Sequence, residues 1–96
     1  MVDFKLQLEI DHIKKAVSRF SQQMDCRMIE QARKGKRGWD GQLPPDSHIA
    51  TQMSEDAWHT EHHAVDGVYN ETDQGVVVDI ANRAMIMWTR HTEVTP

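Results

Sequence analysis

The chain has 96 residues, enough for one small domain and too few for two, so a catalytic domain joined to a separate binding domain is excluded. Aromatic residues make up only 6% and the mean hydropathy is -0.66, which predicts a thin core and association with other copies of the chain. The single cysteine, Cys26, excludes an intrachain disulfide and a cysteine-based zinc site within one chain. Because neither a membrane span nor a signal-peptide pattern is visible, we expect a cytoplasmic protein without a membrane partner.

Charge is divided unevenly along the chain. Residues 1–40 contain nine Lys and Arg against six Asp and Glu, whereas residues 41–96 contain two against nine. Four of the basic residues lie within residues 33–37. A net acidic chain lacks the broad basic face that duplex binding needs, so a small anionic ligand between the two halves is favoured over a long nucleic acid.

The N-terminal pattern is ambiguous between a strand and a helix. Residues 1–10 alternate apolar and polar side chains, which favours a short β-strand over a backward extension of the next helix. A lone strand leaves its backbone groups unpaired, so we expect pairing with the same strand of another copy in an intermolecular sheet. Residues 11–34 follow as a helix, with Asp11 as its N-cap and an apolar stripe from Ile13 to Ala32.

Two further helices are predicted after a loop. Three glycines and two prolines make residues 35–46 the main loop, and the turn at Pro45 starts a helix over residues 47–65. The last helix, residues 74–91, has a wide apolar surface and is expected to be the most buried. The fold class is therefore mainly α: a three-helix bundle with a short N-terminal strand, assembled as a homo-oligomer.

The first candidate site is the basic turn that follows the first long helix. Its glycines let the backbone approach a ligand closely, its cations neutralise phosphates, and its indole can stack on a base. A solvated helix end followed by a core tryptophan explains the same residues equally well. The turn consists of Arg33, Lys34, Gly35, Lys36, Arg37, Gly38, Trp39 and Asp40.

The second candidate is the histidine-rich stretch of the middle helix. Glu55, His59 and His62 fall on one face within reach of a metal such as zinc or manganese. The stretch is not a HExxH motif, and polar surface residues or hydrogen-bonding partners in a ligand pocket are the more frequent explanation.

The third candidate is a polar cluster on the otherwise apolar last helix. Asp79, Asn82 and Arg83 must be satisfied within the fold or offered to a ligand. Capping of the helix start or pairing with the basic loop is the alternative.

Together, the basic run, the Gly38-Trp39-Asp40 turn and the segment Asp79-Ile80-Ala81-Asn82-Arg83-Ala84-Met85-Ile86-Met87-Trp88 resemble the small phage-encoded members of the MazG-like, all-α nucleoside triphosphate pyrophosphohydrolases. The resemblance covers about residues 20–91. Members of that group hold Mg²⁺ with carboxylates on two helices, and Asp79 matches the last carboxylate of an ExxD-like pair. Val76 stands where the first should be, so the resemblance implies the fold and nucleotide binding more than hydrolysis.

We therefore expect a protein that binds and sequesters a small phosphorylated nucleotide without hydrolysing it. A phage protein acting in the host cytoplasm on a signalling nucleotide, such as a cyclic dinucleotide or an ADP-ribose derivative, fits this pattern by analogy. No cofactor is expected. The predicted ligand-binding residues are Arg33, Lys34, Lys36, Arg37, Trp39, Trp58, His59, Asp79, Asn82 and Arg83.

Two alternatives stay open. The first is an Mg²⁺- or Mn²⁺-dependent pyrophosphohydrolase, with metal ligands drawn from Glu55, His59, Glu61 and Asp79, and with Glu71 or Asp73 recruited. The second is a protein that binds and inhibits a host enzyme through its basic loop or acidic middle helix.

Overall fold

A computed structural model describes residues 3–35 and 44–92, and these residues form three helices without any strand. Helix α1 runs from Phe4 to Arg33, α2 from Asp46 to Val65, and α3 from Glu71 to Thr92. The mainly α prediction is thus confirmed for this part of the chain. Helices α2 and α3 begin one and three residues earlier than residues 47 and 74.

The predicted N-terminal strand is wrong, because residues 4–10 form the first turns of α1. The side chain of Asp3, not Asp11, caps this helix by accepting the Leu6 N–H at 3.1 Å. The alternation also suits a helix, since Leu6 and Ile10 are four residues apart and continue the stripe of the following turns. Without a strand in the described residues, the predicted intermolecular sheet loses its basis.

A short connection joins α2 and α3 into an antiparallel hairpin. Gly67 adopts a left-handed φ of 74°, and the Val68 N–H donates to the His63 carbonyl at 2.9 Å, which closes the end of α2. Asn70 then starts α3 in a reciprocal capping box. Its side chain accepts the Thr72 N–H at 2.9 Å, while its own N–H donates to Asp73 Oδ2 at 3.0 Å.

Helix α3 is the centre of the fold, because α1 and α2 each pack on it and, over the described residues, not on one another. Most side chains buried between the helices are polar: Asp73, Asn82 and Thr89, beside the one buried apolar residue of the described chain, Ile49. The fully buried positions of the described chain therefore combine polar contacts with a small apolar core. None of the three is both long and apolar enough to cross a membrane.

The arrangement is open. Its radius of gyration is 16.5 Å, compared with about 13 Å for a compact domain of this length. The larger radius is due to α1, whose first hydrogen bond to α3 among the described residues is at Met24, while Ile13 and Val17 are more than half exposed.

Candidate functional site

The basic end of α1 lies at the surface beside an open groove. The helix closes at Lys34, and Gly35 follows with a left-handed φ of 93°. The groove has a volume of about 380 Å³, and the described residues that line it are Cys26, Ile29, Glu30, Arg33 and Lys34. Of the predicted ligand-binding residues, Arg33 and Lys34 therefore share one site.

A chain of ion pairs connects this end of α1 with α3. Arg27 donates from Nε to Asp79 Oδ1 at 2.9 Å, and its Nη1 lies 3.7 Å from Glu30 Oε2. Lys34 Nζ lies 3.0 Å from the other oxygen of Glu30. Asp79 therefore points towards α1, where its carboxylate is bound by an arginine of the same chain.

The members of these ion pairs shift one another's pKa values. The Asp79 carboxylate, first through its hydrogen bonds and then through its charge, raises the pKa of the Arg27 guanidinium. Lys34 lowers the pKa of Glu30 in the same way. Both groups stay charged over the physiological range, so a phosphate in the groove would meet Arg33 and a lysine shared with Glu30.

Asn82 lies in the α1–α3 interface, not in the groove. It is 4% exposed, and its Nδ2 donates to the Met24 carbonyl at 3.3 Å. Its Oδ1 accepts no hydrogen bond from any described residue. The amide is thus buried between two helices and half satisfied there.

Arg83 faces α2 instead of α1. Its Nη1 donates to Asp56 Oδ2 in an ion pair that is about 70% buried and joins the middle of α3 to the middle of α2. The structure thus separates Asp79 and Asn82, which face α1, from Arg83, which faces α2.

Trp58 lies away from all of these groups, and the His59 ring lies beside it, with ring centroids 5.0 Å apart. Ile49 and Asp56 mark the side of α2 that packs on α3, and Trp58 lies on the opposite side, 55% exposed. The indole packs on His62 with ring centroids 3.8 Å apart. Trp58 is thus too far around α2 to stack on a base held near Arg33.

The metal-ligand candidates do not converge. Among the described residues, no group of three His, Cys, Asp or Glu side chains is placed to hold a metal ion. Glu61 is on the far side of α2 from His59, and Asp79 is engaged by Arg27. Asp73 is buried and holds the α2–α3 connection, because its Oδ1 lies 2.7 Å from His63 Nδ1.

Lys36, Arg37 and Trp39 lie outside the described residues. Sequence reasoning did not identify the partner residues Arg27 and Asp56, nor Glu30. The one signal for Arg27 is its position on the apolar stripe of α1, between Met24 and Met28.

A scan of the chain against protein-family models gave no match, and neither did comparisons with curated proteins and with solved structures. The MazG-like assignment therefore stays a prediction.

Proposed function

We propose that the protein binds a small phosphorylated nucleotide, without hydrolysing it, in the groove at the C-terminal end of α1. The observation that carries the proposal is the position of Arg33 and Lys34 on one groove of about 380 Å³, directly before Lys36 and Arg37 in the sequence. Such a volume lies within the range of small-molecule sites. Sequestration of a host signalling nucleotide by a MazG-like phage protein is the biological role we attach to this binding.

The lining residues suit both parts of a nucleotide. Arg33 offers a planar set of donors for phosphate oxygens, and Lys34 offers a mobile ammonium. Ile29 is 49% exposed and provides an apolar surface for a base. A bound phosphate would compete with Glu30 for the Lys34 ammonium. Salt screens attractions of this kind, so the affinity for the nucleotide should fall steeply as the salt concentration is raised.

Binding is favoured over metal-dependent hydrolysis because of where the carboxylates lie. Asp79 pairs with Arg27, and Asp73 is held by Asn70 and His63. Recruiting either to Mg²⁺ would break contacts that join the helices, at a cost in stability.

The test is calorimetric titration with a nucleotide panel: ATP, GTP, cyclic dinucleotides and ADP-ribose. The double variant R33A/K34A should weaken binding at least about tenfold, because each charge-assisted hydrogen bond contributes about 1.5–3 kcal/mol. The matched control is K15A/R19A, which removes the same two charges from an exposed part of α1 that does not line the groove.

Three results would contradict the proposal. The first is that no member of the panel binds, and the second is that R33A/K34A binds as well as the control. The third is release of pyrophosphate from a nucleoside triphosphate with Mg²⁺ or Mn²⁺, which would establish the hydrolase alternative. Mass spectrometry of small molecules released by heating the purified protein identifies a natural ligand.

A further inference from the structure

The N-terminal half of α1 carries an apolar stripe that nothing in the described chain covers. Its members follow one another in alternating steps of four and three residues, the spacing of a coiled-coil seam. Leu6, Ile13 and Val17 are between 52% and 59% exposed. The full seam consists of Leu6, Ile10, Ile13, Val17 and Phe20.

This half of the helix also lacks the packing that normally maintains a helix. Its local support is the Asp3 cap and a side-chain hydrogen bond of 3.0 Å from Gln7 to Asp11. An isolated helix of this length is marginal in water, since most helical stability in proteins comes from packing an apolar face. We therefore expect the seam to pack against a partner helix with a matching seam.

We propose that a second copy of this chain supplies that partner, and that two α1 helices form a parallel, two-stranded coiled coil over residues 3–23. In heptad terms, Ile10 and Val17 occupy a positions, and Leu6, Ile13 and Phe20 occupy d positions. β-Branched residues at a are typical of two-stranded parallel coiled coils. The expected contact is about three heptads, or about 30 Å, long.

Charge complementarity sets the direction of the two helices. Glu9 occupies a g position and Lys14 the e position five residues later, and both are exposed. In a parallel pair, g of one helix faces the e position five residues further along the other, so Glu9 meets Lys14 of the second copy twice per dimer. In an antiparallel pair, g faces g and e faces e, so this pairing is lost.

The fold itself limits the coiled coil. From Met24 onward the same stripe turns to α3, where the Met24 carbonyl accepts from Asn82 and Arg27 pairs with Asp79. The seam thus continues from an intermolecular contact into the intramolecular α1–α3 contact. The strand-based sheet is not needed for this association.

Sedimentation equilibrium of the full chain tests the proposal. The wild type should be a dimer at micromolar concentration, and I13D should weaken association about 100-fold or more, because it buries two carboxylates in the seam. The matched control is L8D, on the opposite side of α1, where Leu8 is 69% exposed; it should leave the dimer intact. A monomeric wild type, or I13D and L8D behaving alike, would overturn the proposal.

Two further experiments test the direction of the helices without relying on a disruptive change. E9K should weaken the dimer about tenfold, and E9K/K14E should restore it. In a C26S background, V17C should give a covalent dimer on oxidation, because equivalent a positions face each other only in a parallel pair. A dimer that forms but gives neither result is antiparallel and refutes the parallel arrangement.

Discussion

Replacing Asn82 with leucine should stabilise the protein. Leucine has the same branched skeleton with the same number of non-hydrogen atoms, and the site is 4% exposed, so the side chain stays buried between α1 and α3. The change removes a buried carbonyl without a partner among the described residues, whose cost is about 1–3 kcal/mol. It also removes the donation to Met24, which at 3.3 Å is long for an N–H···O bond and contributes about 0.5 kcal/mol.

The difference predicts a gain of about 1 kcal/mol in the free energy of unfolding, and a rise in Tm of about 4–8 °C for a domain of this size. Urea unfolding followed by circular dichroism measures the first quantity, and a thermal scan measures the second. N82D is the contrasting variant, because it places a carboxylate against the Met24 carbonyl and should destabilise by more than about 2 kcal/mol. A loss of more than about 1 kcal/mol in N82L would refute the reasoning, since it would mean that the amide is fully satisfied in the folded protein.

Two other changes follow from the contacts between the helices. I49A should lower the free energy of unfolding by about 3 kcal/mol, because Ile49 is 4% exposed, whereas V65A, where the side chain is 79% exposed, should change it by less than about 0.5 kcal/mol; equal effects in urea unfolding would contradict the assigned core. Acid should also destabilise the protein. The hydrogen bonds from His91 and then Arg90 lower the pKa of Asp46, so its contribution is present above the ordinary carboxyl pKa and is lost as pH falls through the lower, folded value. The urea concentration at the midpoint of unfolding should decrease once the pH is lowered below about 4. D46N should show a shallower fall, and an identical acid profile in D46N would exclude this carboxylate as a cause.

The helices that the sequence predicted best are those whose ends carry local signals. The Pro45 turn marks the start of α2, and the turn around Gly67 and Asn70 separates it from α3, because a left-handed glycine and an Asx cap act within a few residues. The N-terminal error has an equally local cause. An alternation with period two contains pairs four residues apart, such as Leu6 and Ile10, and the Asp3 cap selects the helix.

The candidate site was less predictable, since it depends on which helix faces which. Asp79, Asn82 and Arg83 stand out in the sequence as polar residues on an apolar helix, but their partners come from two other helices. A residue such as Asp56 gives no sign in the sequence that it will meet an arginine 27 positions away. Charge pairs of this kind are decided by helix crossing, which the periodicity of a single helix does not encode.

The proposed nucleotide groove and the proposed coiled coil lie on different parts of α1, and one experiment tests whether they are independent. The described residues that line the groove are all on one α1, and Cys26 begins them about 9 Å beyond Phe20, the last residue of the seam. Disrupting the coiled coil with I13D should therefore leave the affinity for the bound nucleotide within about twofold of that of L8D, measured by calorimetry at concentrations where only L8D is dimeric. If affinity falls together with dimerisation, the second copy contributes to the groove, and the site belongs to the dimer instead of the single chain.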